Sequence, residues 1–152
     1  MMPNAELLIM PAQSADLAGL LLLLRQLNRA DPSLPFEKAE PIWRSLLERP
    51  GVTVYVAKLA DKLVGTCTLI VVPNLTRGGR SYALIENVVT DEAYRGLGIG
   101  QAVLSFAIDH AWRENCYKIM LMAGRKDEAI NRFYEKAGFR RGEKTAFVLR
   151  RN

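Results

Sequence analysis

Apolar residues fall into short runs along the chain, and most of these runs have the length and the β-branched content of strands. Turn-forming residues separate them, including Pro11, Pro50-Gly51 and the stretch at 73–80. The predicted strands lie at 6–10, 52–59, 63–72, 82–89, 118–122 and 145–150.

Other segments carry apolar residues at helical spacing and predict helices. The predicted helices lie at 14–28, at 37–48, from the glycine-rich stretch at 95–100 to about 115, and at 126–137. Ser14 or Asp16 would cap the first helix, and Gly138 would end the last one. The third helix has a wide apolar surface, which is typical of a helix packed on a sheet. This surface consists of Leu97, Ile99, Val103, Leu104, Phe106, Ile108 and Trp112.

The order of these elements predicts a mixed α/β fold in a single domain, residues 1–152. A chain of 152 residues with 49% apolar content is long enough to bury one core. Strands joined by short turns pair antiparallel, whereas strands joined through a helix can pair parallel. We therefore expect a mixed, mostly antiparallel central sheet with flanking helices and a strand–helix–strand unit at its centre.

The excess positive charge lies in the second half of the chain. Residues 1–76 have as many acidic as basic side chains, so residues 77–152 hold the whole formal net charge of +5. A basic half favours an anionic partner, either nucleic acid or a phosphorylated small molecule. The basic residues are scattered singly or in pairs without interleaved aromatic residues, so no nucleic-acid partner is expected.

The apolar run at 17–24 is too short to span a bilayer and follows an acidic residue, so no membrane partner is expected. Cys67 and Cys116 lie far apart in the sequence without Cys/His clustering, which argues against a metal site, a redox dithiol and a disulfide scaffold. We interpret both cysteines as packing residues. A cytoplasmic location without a metal cofactor is the resulting expectation.

Three glycines at alternate positions, Gly96, Gly98 and Gly100, lie between an apolar strand and an apolar helix. Glycine lets the backbone turn tightly and brings N–H groups close to a ligand. The N-terminus of the helix adds amide donors and a positive dipole end, which suits a phosphate or pyrophosphate, and Arg95 adds a full charge. Neither the P-loop pattern nor the dinucleotide fingerprint fits, since Gln101 replaces the third glycine of the latter. On spacing alone, a glycine-rich turn without a ligand is the alternative.

The segment RGLGIG at 95–100 resembles the Arg/Gln-x-x-Gly-x-Gly/Ala signature of the GNAT superfamily of acyl-CoA-dependent N-acetyltransferases. The segment IENVVT at 85–90 is similar to the strand that precedes this signature, and FYEKAGF at 133–139 is similar to the second motif of the superfamily. The order of predicted elements agrees over nearly the whole chain. The resemblance implies a GNAT-like fold and direct transfer of an acetyl group from acetyl-CoA to a primary amine of a small molecule or peptide.

The resemblance also implies that acetyl-CoA binds where the sheet opens. Backbone groups of Val88, Val89 and Thr90 would contact the pantetheine arm and the acetyl carbonyl. The pyrophosphate would lie on the glycine turn and the helix amides that follow it. The residues implied for this contact are Arg95, Gly96, Leu97, Gly98, Ile99, Gly100 and Gln101.

Two side chains are candidates for the chemistry. An alkylamine is mostly protonated at neutral pH, so direct transfer needs a base. Glu86 is the candidate because it is a lone carboxylate in an apolar strand, where several members of the superfamily have one; an outward-facing structural glutamate is equally consistent with strand alternation. Tyr134 matches the tyrosine of the superfamily that faces the CoA sulfur, and we favour hydrogen bonding to the departing thiolate over full proton transfer. The alternative is a half-buried helix tyrosine.

One position departs from the resemblance. Many relatives have a cofactor-contacting asparagine seven residues before this tyrosine, where the present chain has Asp127. Asn131 lies one helical turn before Tyr134 and is the candidate amide contact, and Asp127 would cap the helix. His110, the only histidine, is placed away from the glycine turn and is interpreted as a partly buried structural residue.

The amine acceptor is not identified by the sequence. The segments expected to shape its site lie at 28–41, 73–80 and 141–145. Arg77 and Arg80 would suit a phosphorylated acceptor, and Glu37 or Glu40 a cationic one. The motifs resemble those of glucosamine-phosphate acetyltransferases without selecting a sugar. The resemblance makes a homodimer plausible; a non-catalytic acyl-CoA-binding module of the same fold and a nucleic-acid-binding module are the alternatives.

Overall fold

A computed structural model describes residues 5–151 of the chain. The strands are β1 (Leu7–Pro11), β2 (Val52–Leu59), β3 (Lys62–Val72), β4 (Tyr82–Thr90) and β5 (Ile119–Met120). The helices are α1 (Leu17–Leu24), α2 (Phe36–Glu48), α3 (Ile99–Arg113) and α4 (Glu128–Lys136). The chain divides into two compact units, one ending at Met120 and the other beginning at Leu121.

The first unit is built on a five-stranded sheet with the strand order β1-β2-β3-β4-β5. Neighbouring strands from β1 to β4 pair antiparallel, and β4 pairs parallel with β5. The parallel pair is connected through α3, since two parallel strands need a crossover rather than a tight turn. This arrangement confirms the predicted mixed α/β sheet. The predicted strand–helix–strand unit is present as β4, α3 and β5, but it lies at one edge of the described sheet rather than at its centre, because β5 pairs only with β4.

Helices cover both faces of the sheet, with α1 and α2 on one face and α3 on the other. On one face α1 and α2 form a buried apolar cluster with the sheet, which contains Leu17, Leu20, Ala39, Trp43, Val54, Val56 and Leu63. On the other face α3 packs closely on Gly65, because a β-carbon there would lie 2.9 Å from Cγ2 of Ile99. The face covered by α1 and α2 is called the α1/α2 face below.

The second unit contains α4, which is capped at both ends. The carboxylate of Asp127 accepts a hydrogen bond from the Ala129 N–H at 2.9 Å, which confirms the predicted N-cap. At the other end Gly138 has φ +102°, and the Phe139 N–H donates to the Tyr134 carbonyl at 3.1 Å. This is a Schellman motif, so the predicted glycine stop is also confirmed.

Three predicted elements were wrong in extent. The first helix ends at Leu24 rather than near 28, because the next residues form tighter turns such as the bond from the Leu27 N–H to the Leu24 carbonyl. The predicted strand at 118–122 shortens to Ile119–Met120, and the segment 145–150 forms no strand. Within the described residues, this last segment has no neighbouring strand to complete its backbone hydrogen bonds.

The predicted apolar surface of α3 was partly wrong. Leu97 precedes the helix and is exposed, and Phe106 and Trp112 are about half exposed. The buried face of α3 consists of Ile99, Gly100, Val103, Leu104, Ala107 and Ala111. Half of these residues are glycine or alanine, which lets the helix approach the sheet closely, whereas Phe106 and Trp112 remain partly exposed.

Candidate functional site

The sheet of the first unit opens between β4 and β5. The two strands pair only at Ala83 with Ile119 and at Leu84 with Met120, whereas β4 continues to Thr90. The backbone of residues 88–90 therefore extends beyond the last β5 partner in the described structure. Unpaired strand backbone of this kind can hydrogen-bond an extended ligand as an added strand would.

A β-bulge lies at the start of this opening. Thr68 of β3 is opposite Glu86 and Thr66 is opposite Val89, so two residues of β4, Asn87 and Val88, oppose one residue of β3. Asn87 has φ +53°, a left-handed conformation that asparagine tolerates better than most residues. The bulge redirects the strand and changes which residues after Glu86 face each side of the sheet.

The glycine turn has the backbone geometry of an anion site. Gly96 and Gly98 have φ +77° and +79°, and Gly98 is the N-cap of α3. The first helical hydrogen bond runs from the Ala102 N–H to the Gly98 carbonyl, so the preceding N–H groups of α3 belong to its N-terminus. A β-carbon at either glycine would meet no atom within 4 Å. This open space and the helix terminus suit an anionic group such as a phosphate.

Arg95 lies at the entrance of the glycine turn and its side chain is exposed. Its Nε donates a hydrogen bond to the Thr90 carbonyl at 3.3 Å, which links the end of β4 to the beginning of the turn. The predicted strand contacts at Val88 to Thr90 and the predicted turn contacts at 95–101 are therefore brought together in one unit.

Glu86 is exposed on the α1/α2 face of the sheet. It forms a row across three strands with Thr68 of β3 and Val54 of β2, and Val54 belongs to the cluster under α1 and α2. Directly opposite residues of antiparallel strands share a face, so Glu86 lies on the same face as these helices. Its carboxylate is accessible to solvent, as a base that accepts a proton from an incoming amine must be.

A second group of polar side chains surrounds Tyr82, which lies on the same face as Glu86, near the beginnings of β4 and β5. The Lys118 ammonium lies 5.8 Å from the ring centre of Tyr82 and 5.3 Å from that of Tyr117, and the Arg77 guanidinium lies 5.5 Å from the Tyr117 ring. Arg80 joins them from the loop, with its guanidinium donating to the Cys116 carbonyl at 3.2 Å. We call Arg77, Arg80, Tyr82, Tyr117 and Lys118 the basic–aromatic cluster.

The cluster creates a local positive field. Hydrogen bonding to Lys118, with the charges of Lys118 and Arg77, holds the pKa of the Tyr117 phenol below its usual value. The sequence pointed to Arg77 and Arg80, but it missed Lys118 and both tyrosines. The sequence feature that could have pointed to them is the adjacent Tyr117-Lys118 pair at the start of a predicted strand. Its place in the cluster becomes clear only from the pairing of that strand with β4.

In the second unit, Tyr134 and Asn131 lie on α4. Tyr134 is half-buried, with its ring centre 5.0 Å from that of Phe133 and 6.1 Å from that of Phe139. The Asn131 amide donates to Glu128 at 3.4 Å. Glu128 also pairs with Arg141, and this guanidinium holds the pKa of the Glu128 carboxyl below its usual value.

The histidine and the cysteines occupy packed positions in the first unit. His110 is partly buried, as predicted, and lies beside Tyr55. Cys67 and Cys116 are buried and not oxidised to a disulfide; burial raises the pKa of Cys67 to about 12 and also raises that of Cys116. Among residues 5–151, no three His, Cys, Asp or Glu side chains converge in a way that could hold a metal ion.

No helix in the described part of the chain is long and apolar enough to cross a bilayer.

Comparison with solved structures defines the class of protein. A putative acetyltransferase from Agrobacterium tumefaciens superimposes with a TM-score of 0.92 at 47% identity, covering 95% of this chain and 99% of that one. An acetyltransferase from Trypanosoma brucei superimposes with a TM-score of 0.77 at 32% identity, covering 94% of this chain and 99% of that one. The fold is that of an acetyltransferase, as the sequence predicted.

Sequence comparison identifies the family. The model of the acetyltransferase (GNAT) family matches residues 21–139. A glucosamine 6-phosphate N-acetyltransferase from Trypanosoma brucei brucei is 34% identical over 134 residues, which are 87% of this chain and 88% of that protein. The chain belongs to the GNAT acetyltransferase family and is an N-acetyltransferase, which confirms the predicted enzyme class. GNAT acetyltransferases use acetyl-CoA as the acetyl donor.

Proposed function

We propose that this enzyme transfers the acetyl group of acetyl-CoA to the amine of an amino-sugar phosphate, with glucosamine 6-phosphate as the leading candidate. The relative from Trypanosoma brucei brucei, which carries that name, supports this acceptor. The observation that carries the proposal is that Glu86 shares one face of β4 with Tyr82, around which the basic–aromatic cluster is built. This part of the first unit thus offers a carboxylate for an amine and cations for a phosphate.

The spacing along β4 suits such an acceptor. Tyr82 and Glu86 are four residues apart on one face, which corresponds to about 13 Å along the strand. Lys118 lies beside Tyr82, with its ammonium 5.8 Å from the ring centre. An amino-sugar phosphate carries its amine and its phosphate on opposite sides of one ring, so the amine can lie at Glu86 while the phosphate lies at the cluster. Arginine and lysine are the side chains that bind phosphate most effectively.

The donor is proposed to bind through the backbone of the first unit. Val88, Val89 and Thr90 hold the pantetheine arm and acetyl carbonyl at the opening between β4 and β5. Arg95 and residues 96–101 hold the pyrophosphate at the start of α3. Asn131 is proposed as an amide contact to the donor. These assignments follow from the motif matches and are supported by the unpaired strand backbone and the positive φ angles of the glycines.

In the proposed reaction Glu86 accepts a proton from the acceptor ammonium, and the free amine attacks the acetyl carbonyl. A backbone N–H near Val88 stabilises the tetrahedral oxyanion. As the carbon–sulfur bond breaks, the attacking nitrogen releases its second proton to solvent, and Tyr134 donates a hydrogen bond to the departing thiolate, which takes up a proton from solvent. Glu86 then returns its proton to solvent. The new bond is the amide of the acetylated acceptor, and no covalent enzyme intermediate forms.

The remaining assignments concern the whole protein. Residues 1–152 are proposed to make one acetyltransferase domain, since the family match crosses the boundary between the two units. A homodimer is supported by Phe147 and Leu149, which are 89% and 100% exposed and would gain from burial. The two buried, unpaired thiols support a cytoplasmic location. Neither nucleic acid nor a membrane is proposed as a partner.

An acceptor panel tests the proposed substrate. CoA release is measured with glucosamine 6-phosphate, glucosamine, polyamines, aminoglycosides and peptide N-termini. We expect glucosamine 6-phosphate to give the highest kcat/KM, and Lys118→Met to raise its KM about tenfold while leaving the KM of glucosamine nearly unchanged. Arg44→Met, in an exposed ion pair of α2, is the matched control.

Two results would contradict the proposal. A higher kcat/KM with unphosphorylated amines, unaffected by Lys118→Met, would remove the phosphate assignment. Acetyl-CoA binding in calorimetry without CoA release for any acceptor would favour the non-catalytic acyl-CoA-binding module.

A further inference from the structure

Asp91 is a buried carboxylate that the reaction does not use directly. It follows β4 immediately, precedes the glycine turn and is 7% exposed. A buried carboxylate is costly unless its oxygens have partners. One oxygen accepts from the Ala93 N–H at 2.9 Å, and the other lies 3.3 Å from the Lys62 ammonium. Its backbone N–H donates to the Val64 carbonyl at 2.9 Å, and its carbonyl accepts from the Tyr94 N–H at 2.8 Å.

These contacts favour the ionised carboxylate. Burial alone would raise the pKa of the Asp91 carboxyl, but the Ala93 N–H, the Lys62 ammonium and Gln26 together hold it below its usual value. The charge of Lys62 also offsets the negative charge of Asp91, so the turn does not present a net anion to an approaching phosphate.

Lys62 joins both ends of the short 3-10 turn at Glu92–Tyr94. It pairs with Asp91 before the turn, and its ammonium lies 4.8 Å from the ring centre of Tyr94 at the end of it. Lys62 is the first residue of β3 and pairs in register with Leu59 of β2. The turn is thereby attached to the hairpin of β2 and β3.

A second attachment lies on the other side of the turn. The Glu92 N–H donates to Oε1 of Gln26 at 2.8 Å, and the Glu92 carboxylate pairs with Arg29. The Arg29–Glu92 pair is more than half exposed on both sides, and exposed pairs of this kind contribute little. Asp91, whose side chain is 11% exposed, is thus the more buried of the two carboxylates that anchor this segment.

We propose that Asp91 is a positioning residue, which fixes the direction in which the chain enters the glycine turn and so aligns the N–H groups that bind the pyrophosphate of acetyl-CoA. Asp91 acts through the backbone and does not touch the ligand. The inference rests on the proposed binding of acetyl-CoA at this turn. It extends the donor site to a side chain of β3, Lys62, which lies 34 residues before Gly96 in the sequence.

Asp16 offers a matched control. It is also a buried carboxylate, 6% exposed, paired with a lysine, Lys58, at 2.7 Å and bonded to a backbone N–H, that of Gln13. It lies in the turn before α1 rather than before the glycine turn. Replacing either residue removes a comparable set of contacts, so the two variants separate a general loss of stability from an effect on the donor site.

The test compares Asp91→Asn and Lys62→Met with Asp16→Asn. Acetyl-CoA affinity is measured by calorimetry, the KM of each substrate by CoA release, and backbone order by hydrogen exchange without ligand. We expect both turn variants to weaken acetyl-CoA binding, Asp91→Asn by about tenfold, with a higher KM for acetyl-CoA and a nearly unchanged kcat. Amide hydrogen exchange at residues 92–101 should be faster in both turn variants than in the wild type. Asp16→Asn should leave acetyl-CoA affinity within about twofold of wild type.

The outcomes are distinct. Wild-type affinity for acetyl-CoA in Asp91→Asn, or equal losses in Asp91→Asn and Asp16→Asn, would overturn the positioning role. Lys62→Met keeps the Asp91 carboxylate and the Ala93 hydrogen bond, so it still tests the positioning role if Asp91→Asn does not fold. A wild-type protein that fails to bind acetyl-CoA would overturn the proposed function itself. Unchanged exchange at 92–101 in a folded Asp91→Asn variant would overturn the inference independently of any ligand.

Discussion

The hydroxyl of Tyr55 lies 2.9 Å from Nδ1 of His110, which joins β2 to α3 inside the first unit. The rings are nearly perpendicular, with centres 6.0 Å apart, and Phe106 packs against Tyr55 on the same side. Burial raises the pKa of the Tyr55 phenol, so Tyr55 keeps its proton across the physiological range. The single histidine therefore hydrogen-bonds to a neutral phenol, and this contact helps to hold α3 against β2.

Tyr55→Phe should destabilise the protein without affecting catalysis. The variant keeps the ring contacts but removes one partly buried hydrogen bond, so the free energy of unfolding should fall by about 1 kcal/mol. Urea unfolding measures this change, and kcat/KM should stay within about twofold of wild type. A tenfold loss of kcat in a variant of unchanged stability would show instead that His110 takes part in the reaction.

Glu86→Gln should reduce kcat/KM about 100-fold at pH 7, because the acceptor ammonium would lose its proton acceptor. The loss should shrink as the pH approaches the pKa of the acceptor amine, since the free amine then forms without a base. Rate–pH profiles of both enzymes measure the difference. Glu48→Gln, at the exposed end of α2, is the control. A uniform loss at every pH would argue against a role of Glu86 as the base.

Tyr134→Phe should lower kcat with little change in acetyl-CoA affinity. Phenylalanine preserves the edge-to-face contacts with Phe133 and Phe139, so the ring packing of α4 should be kept. The expected loss is about 100-fold, at the lower end of what a positioned proton donor contributes. Steady-state kinetics combined with calorimetry separates the two quantities. Wild-type turnover in this variant would exclude the proposed contact with the CoA thiolate.

Gly98→Ala should weaken acetyl-CoA binding through the backbone alone. The added methyl group meets no atom within 4 Å, but a residue with a β-carbon at φ +79° costs about 1 kcal/mol and favours a different turn. Gly78→Ala is the matched control, because Gly78 also has a positive φ of +69° and open surroundings but lies in the loop before β4. Both variants should lose similar stability, and only Gly98→Ala should lose acetyl-CoA affinity in calorimetry. Equal acetyl-CoA affinities of Gly98→Ala and Gly78→Ala would contradict the proposal that the glycine turn binds the donor.

Local sequence patterns predicted the elements that depend on local contacts. The antiparallel hairpin is an example, since β2 spans Val52–Leu59 as predicted and β3 begins one residue early, at Lys62. Alternation and a short turn determine such a pair. The caps of α4 at Asp127 and Gly138 were predicted for the same reason, because a cap is a contact between residues that are close in the sequence.

Contacts between distant segments were not predictable in this way. Lys118 approaches Tyr82 only because β5 pairs parallel with β4 across the whole of α3, and nothing in the sequence of either strand specifies that register. The burial of Asp91 depends likewise on Lys62, in a different hairpin. The candidate donor site could be predicted from its glycines, because their role in the turn depends on the local sequence. The residues proposed to align that turn, Asp91 and Lys62, could be recognised only in the folded structure.

The stability of the protein should fall as the pH rises above about 8.5, because its buried thiols stay protonated when folded. Burial raises the pKa of Cys67 to about 12, whereas an unfolded cysteine has a pKa of about 8.5. Between these values the unfolded state loses a proton that the folded state keeps, so each such group lowers the free energy of unfolding by up to about 1.4 kcal/mol per pH unit. Cys67→Ala should flatten this slope in urea titrations between about pH 8.5 and 10, whatever its effect at neutral pH. A slope equal to that of wild type would mean that Cys67 ionises alike in both states.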